Sequence, residues 1–247
     1  MKVLHKQENS KLINYELYEI APKIYAVLAK DSFERAMLFL RAQEYYESPF
    51  PEFRGQDFDI FVYMNRYRKE RSANYFSYTA DWSGYNVPSE SLEACMRGVY
   101  QYHTDITSYD HEMTEVVSII RQYQKKGKFY LLGVDSLESR VMDHEFAHGL
   151  FYTNKAYKTE MMELVLSLKR DLYEQLESYL IQIGYTSHVI ADEIQAYMAT
   201  GLTATMAKTR GSVTAAKKFE KIFKKYKKQY GKHDNINNPK RQAAEKV

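Results

Sequence analysis

Scarcity of glycine and proline constrains this chain's fold more than any other feature. The 247 residues include ten Gly and five Pro, about 6% together where ~12% is usual. Collagen-like and linker-rich architectures are excluded, as is an all-β fold that needs many tight turns. Hydrophobic residues at 45% and charged residues at 27% are ordinary for a folded domain. The length is ample for one buried core, with or without an extension. A single cysteine, Cys95, excludes an intrachain disulfide framework and a Cys-rich zinc module. Any metal ion must therefore be held by His and carboxylates.

Residues 31–48 read as a helix capped by Asp31 or Ser32, with Phe33, Ala36, Met37 and Leu40 on one stripe and Pro49 and Pro51 ending it. The Tyr-, Phe- and Val-rich segments 59–68 and 74–81 read as strands. Segment 81–88 reads as a loop carrying the only Trp, Trp82, and 89–100 and 108–124 as helices. Residues 129–134 (FYLLGV) form a compact apolar strand, and 136–152, 156–182, 188–200 and 213–230 are helical in pattern. The expected fold class is α+β, a small mixed sheet with a helix-rich C-terminal half.

Charge is unevenly placed. From Lys217 to Val247 there are eleven Lys or Arg against three acids, a surplus of +8, so a formal total of +3 leaves −5 on residues 1–216. The expected organisation is an acidic body over 1–212, a basic amphipathic helix over 213–230 and a flexible basic tail over 231–247. Ala215, Phe219, Ile222, Phe223 and Tyr226 recur at helical spacing with lysines on the other faces. Two readings follow: a terminal helix docked on the acidic body, or an anion-binding element for an acidic partner or anionic surface, using the lysines of 217–246. No apolar run reaches the ~18 residues of a membrane span. The N-terminus lacks the apolar core of a signal peptide. The default expectation is a cytoplasmic protein, with export by a non-classical route left open.

The chemistry-bearing segment is 135–152, DSLESRVMDHEFAHGLFY. Asp135 with Glu138 three residues on resembles a capping box that starts a helix. Along it Leu137, Val141, His144, His148 and Phe151 fall on one face. Two imidazoles one turn apart can grip one ion. Glu145 between them completes H-E-x-x-H, the zincin pattern: the His pair supplies neutral nitrogens to zinc, and the Glu stays off the metal as a base. A chain with this His content meets the pattern by chance roughly 0.02 times. His111-Glu112-Met113-Thr114-Glu115 lacks the second imidazole, and a di-iron bundle would need a second E-x-x-H pair.

A catalytic zinc needs a third protein ligand. After His148 there is no third His six residues on, and Glu163 and Glu174 belong to a helix whose solvent face needs charges. Glu193 is the better candidate: Ile190, Glu193, Ile194, Tyr197 and Met198 share an apolar face, so its carboxylate points inward and requires compensation. Asp192 is expected toward solvent, and Ala196 and Ala199 would allow close approach of this helix to the first. A buried salt bridge is the alternative role for Glu193. Asp143 could support a ligand His or lie exposed. His188, in the loop entering the Glu193 helix, is a candidate to polarise a carbonyl.

On His144, Glu145, His148 and Glu193 the chain resembles the gluzincins, metallopeptidases in which a Glu on a second helix completes HExxH. The long spacer looks most like the anthrax lethal factor group, which shares an HEF-x-H helix. The resemblance covers 135–200 and implies a zincin-like catalytic domain over 1–212 with one catalytic zinc ion. It also implies an oxyanion-stabilising Tyr upstream of the Glu, at Tyr185. The Asn-Glu that marks the ligand helix in some gluzincins is absent here.

The expected activity is a zinc metalloendopeptidase with Glu145 as general base, Tyr185 or His188 stabilising the oxyanion, and a protein or peptide as substrate. In zincins an edge strand holds the peptide by β-addition; 129–134 could neighbour such a strand or lie centrally, and Trp82, Tyr85 and Asn86 could wall the cleft. Two rivals are a non-catalytic binding protein using the Lys-rich C-terminus, and a metal-dependent amidase acting on a non-protein substrate. An intact Glu145 favours an enzyme, because a structural zinc site has no use for that base.

Overall fold

The computed structural model describes residues 1–102 and 105–230; the tail expected over 231–247 lies outside the described residues. Three strands come first, β1 (Lys2–Gln7), β2 (Tyr15–Ala21) and β3 (Ile24–Leu28), where the sequence reading assigns no element. Then follow α1 (Ser32–Glu47), α2 (Ile60–Glu70), α3 (Tyr78–Asp81), β4 (Tyr85–Pro88), α4 (Ser89–Tyr102), α5 (Ser108–Tyr123) and β5 (Tyr130–Val134). The rest is helical: α6 (Arg140–Thr153), α7 (Lys155–Leu166), α8 (Arg170–Gln182), α9 (Ile190–Thr200), α10 (Ala204–Lys208) and α11 (Ser212–Tyr230). The fold is mixed α/β with a helix-rich C-terminal half.

The strands form one sheet in the order β1-β2-β3-β5-β4, antiparallel except for the parallel pair β3–β5. Strand β5 is thus internal, with β4 as the edge beside it. All five β5 residues are buried because both faces are covered. Leu131 joins a core beneath α1, α2, α4 and α5, whereas Tyr130, Leu132 and Val134 face a core built on α6 to α9 and α11. The period of two along a strand makes that division.

Helix α1 lies close on the sheet because Gly133 leaves room for Phe39: a Cβ there would stand 2.5 Å from Phe39 Cε2. Gln43 and Glu47 follow Phe39 at i+4 and i+8, so the same face delivers both toward the end of the sheet. Of the expected stripe Ala36 and Leu40 are fully buried and Met37 partly so, whereas Phe33 is exposed; the buried face is broader and takes in Arg35, Leu38, Phe39 and Arg41. Arg41 is held by two carboxylates, Nε to Asp110 Oδ1 at 2.9 Å and Nη2 to Asp105 Oδ2 at 3.1 Å, and donates to Phe58 O at 2.6 Å. Arg41→Met leaves both acids without their cation and should cost about 3–5 kcal/mol in denaturant unfolding.

Two expected strands are helical. Segment 59–68 is α2, capped by Asp59, whose side chain accepts from Phe61 N and Val62 N. Its buried residues are Ile60, Tyr63 and Tyr67, whereas Phe61 and Val62 are exposed. Helical spacing of three large side chains outweighs β-propensity here. Segment 74–81 holds only the short α3. The expected long helix 156–182 is two, α7 and α8, broken over Ser167–Leu168–Lys169. Buried Tyr157, Met161 and Val165 continue in phase into Leu172, Leu176 and Leu180, which hides the break from periodicity.

Helix α11 docks on the body. Phe219, Phe223 and Tyr226 are buried against the core shared by α6, α7 and α9. Lys225 pairs with Glu160 at 2.8 Å, Tyr226 donates to the same carboxylate, and Lys227 pairs with Asp143. No helix among the described residues is long and apolar enough to cross a membrane.

Candidate metal centre

Helix α6 begins at Ser139, whose hydroxyl accepts from Met142 N at 3.0 Å. The expected capping box at Asp135 and Glu138 does not form; Glu138 N donates instead to Ser136 Oγ. The helix lies directly on β3, where a Cβ on Gly149 would stand 2.9 Å from Ile24 Cγ2. Fully buried Ala147 and Ala196, with Ala199 nearly so, let α6 and α9 pack closely. The contact brings His144 and His148 opposite Glu193.

His144 Nε2 and His148 Nε2 are 3.2 Å apart; Glu193 Oε2 is 3.7 Å from the first and Glu193 Oε1 is 3.5 Å from the second. Ligand atoms about 2.0–2.1 Å from a tetrahedral ion are separated by roughly 3.3 Å, so these edges fit one ion. Hydrogen bonds on the far side of each ring set the tautomers. His148 Nδ1 faces Asp192 Oδ1 at 2.9 Å and donates to it. His144 Nδ1 lies 3.5 Å from Thr200 Oγ1, whose own proton goes to Ala196 O at 2.7 Å. Both Nε2 atoms are thereby turned to one point, beside a carboxylate.

Buried Glu193 Oε2 has no hydrogen-bond partner, a costly arrangement for an acid unless a cation meets it. Burial opposes a charge on the His148 imidazole, yet the Asp192 and Glu193 carboxylates hold its pKa well above the usual value. The site favours positive charge, and His144, His148 and Glu193 could hold a metal ion.

Asp192 is a correction. Expected toward solvent, its side chain is 17% exposed and anchors His148. Gln195 Nε2 donates to it at 2.8 Å, and Tyr157 OH donates to Gln195 Oε1 at 2.9 Å. Asp143, weighed for that role, instead pairs with Lys227. Asp192→Asn should weaken metal binding at the cluster about 10–100-fold in a competitive chelator titration, with the fold retained.

Glu145 stands beside the cluster, 5% exposed. Its Oε2 accepts from Asn86 Nδ2 at 2.8 Å, while Asn86 Oδ1 accepts from Tyr130 OH at 2.5 Å, which orients the amide. Burial pushes the Glu145 carboxyl above its ordinary pKa, against the pull of both imidazoles. Gly84 gives it room: a Cβ there would stand 2.2 Å from Glu145 Oε1.

A cavity of about 500 Å³ opens over these residues, with Trp82, Gly84, Asn86, Arg140, Tyr185 and Tyr197 in its walls. Trp82 and Asn86 do line the cleft as expected, whereas Tyr85 turns away from it, and residues 85–88 of the expected loop form β4. Tyr185 OH is 3.2 Å from Tyr197 OH, and the Tyr197 ring packs on His144 at 4.5 Å between centroids. Burial pushes the Tyr185 phenol well up and that of Tyr197 to about 12, so both keep their protons at neutral pH. His188 is exposed, bonds Thr186 at 2.8 Å and is absent from the cavity wall. Buried Val189 and Ile190 anchor the start of α9 and leave His188 outside.

Glu47, on distant α1, and Thr200, at the end of α9, are not singled out by the sequence; Asn86 is read there only as a wall of the cleft, and Tyr197 as packing alone. Gln43 Oε1 accepts from Asn86 N at 3.0 Å, so the outward edge of β4 is occupied at that residue. No protein-family model, curated protein or solved structure matches this chain significantly.

Proposed function

We propose that this chain is a zinc-dependent peptidase of zincin type, with the gluzincin ligand set His144, His148 and Glu193 and with Glu145 as general base. The observation that carries the reading is the pairing of two Nε2 atoms turned to one point, beside a Glu193 carboxylate with one oxygen lacking a hydrogen-bond partner, with a second buried carboxylate held just outside the cluster. Two imidazoles and one carboxylate match zinc's borderline ligand preference, whereas magnesium and calcium prefer oxygen sets. A structural site would have no use for Glu145.

Zinc bound there would polarise a substrate carbonyl and acidify a water molecule. Glu145, raised in basicity by burial and aimed by Asn86, takes the proton and returns it to the leaving amine. The Tyr185 and Tyr197 phenols, both protonated and both in the wall, donate to the developing oxyanion. Thr200 and Asp192 hold the two imidazoles in register. Gln43 on Asn86 N blocks full strand addition along β4, so an extended peptide is gripped mainly by the cavity.

The test is cleavage of a peptide library by the full chain. Hydrolysis should vanish on chelation and return with about one equivalent of zinc. Cleavage that survives complete removal of metal would overturn the reading.

A further inference from the structure

Beside the main cavity lies a recess of about 40 Å³ that shares Gln43, Glu47, Trp82, Gly84 and Tyr185 with it. Glu44, Tyr78 and Tyr85 complete its important walls. Three polar atoms around it have no hydrogen-bond partner: Glu44 Oε2, Tyr85 OH and Trp82 Nε1. Glu44 is only 5% exposed. Glu47 adds a second carboxylate, and no Lys, Arg or His is among the lining residues. Rings enclose the space, with Tyr78 6.4 Å from Trp82 and 6.3 Å from Tyr85, and Trp82 6.5 Å from Tyr185, between centroids.

An acid buried with an orphaned oxygen, inside an aromatic box without a cation of its own, is suited to a cation brought by a ligand. Size narrows the choice. One water needs roughly 10–15 Å³ of such space, and an ammonium group is of water size, so the recess takes an ammonium with its last methylenes. The broader guanidinium plane fits worse. Burial also holds the Glu44 carboxyl above its ordinary pKa despite nearby Tyr63, Ser48 and Tyr78 hydroxyls, a cost that an incoming cation offsets.

We propose that this recess is a subsite for a primary ammonium group of the substrate, carried by a lysine side chain next to the scissile bond or by the peptide's free N-terminus. The inference deepens the peptidase reading and rests on it for the word substrate; the ammonium site itself does not require hydrolysis.

Two measurements on the zinc-loaded full chain test it. The first compares kcat/KM for matched peptides carrying Lys, Arg or norleucine at each position around a mapped cleavage site, with free and acetylated N-termini. Lysine should exceed norleucine by about ten- to thirty-fold, and Glu44→Gln should shrink that ratio to about twofold or less. A lysine preference that survives acetylation assigns the side chain. A preference lost on acetylation and indifferent to lysine assigns the terminus. The second titrates n-butylammonium against isosteric 1-butanol and follows fluorescence of Trp82, the only Trp in the chain. A saturable response to the amine alone, lost in Glu44→Gln, is expected.

Equal cleavage of all peptides with no amine response would overturn the subsite and leave the peptidase reading standing. An amine response without any hydrolysis would keep the subsite and overturn the peptidase reading. If Glu44→Gln fails to fold, Tyr85→Phe and the wild-type amine titration decide: no selectivity for the amine over the alcohol refutes the proposal.

Discussion

Glu145→Gln is expected to lower peptide hydrolysis by about 10²–10⁴-fold while zinc content stays at the wild-type level. The substitution is nearly isosteric, and a Gln carbonyl can still accept from Asn86 Nδ2, which Glu145 Oε2 now does at 2.8 Å. What disappears is the proposed base. Because Glu145 is not one of the three clustered ligands, the metal should not follow. The measurement is kcat/KM and metal content on the same preparations. Gly84→Ala offers an independent approach to the same carboxylate. Its new Cβ would overlap Glu145 Oε1, so activity should fall with the charge of the site unchanged. Full activity in Glu145→Gln would mean that another group moves the proton.

The second large effect concerns stability. An ion that binds only the folded chain stabilises it by about 4 kcal/mol at a free concentration a thousandfold above Kd. Wild-type protein should therefore melt well above its chelated form, by several degrees for a chain of this length. Glu193→Ala should abolish that difference, so that melting curves with and without chelator coincide. In the absence of metal the loss is small: removing a carboxylate that is 3% exposed and has an orphaned oxygen relieves its desolvation, while the His148 imidazole, which it helps to charge, keeps Asp192 as a partner. A variant that is destabilised equally in both conditions would show Glu193 to be a structural ion-pair partner instead.

Much of the site is legible in the sequence because it sits on two helices, where the spacing of residues along the chain dictates the face they share. His144, Glu145 and His148 follow from one turn of α6, and Glu193 from its place on the apolar face of α9. The supporting residues depend on contacts between elements remote in sequence. Asn86 reaches Glu145 across fifty-nine positions, Gln43 reaches Asn86 across forty-three, and no local pattern encodes either contact. Asp192 is recoverable from sequence: an imidazole that holds a metal needs an acceptor for its second nitrogen, and Asp192 stands beside Glu193.

The fold shows the same division. Helices α1, α5 and α11 fall close to their expected bounds: Asp31 caps α1 and Pro49 and Pro51 follow it, while Phe219, Phe223 and Tyr226 give α11 a regular stripe. In α2 the aromatic residues suit a strand by type and a helix by spacing, and tertiary packing of Tyr63 and Tyr67 selects the helix. The three N-terminal strands form an antiparallel unit joined to the rest of the sheet through β5, far along the chain, and their alternation is interrupted by register shifts near Val3/His5 and Glu19/Ala21.

The claim on which everything else depends is that one ion joins α6 to α9. Zinc-edge anomalous diffraction from crystals of the freshly purified full chain tests it directly. A single strong peak is expected within about 2.0–2.2 Å of His144 Nε2, His148 Nε2 and a Glu193 carboxylate oxygen. No peak between the two imidazoles, or an ion held there with the Glu193 carboxylate turned away, would contradict it.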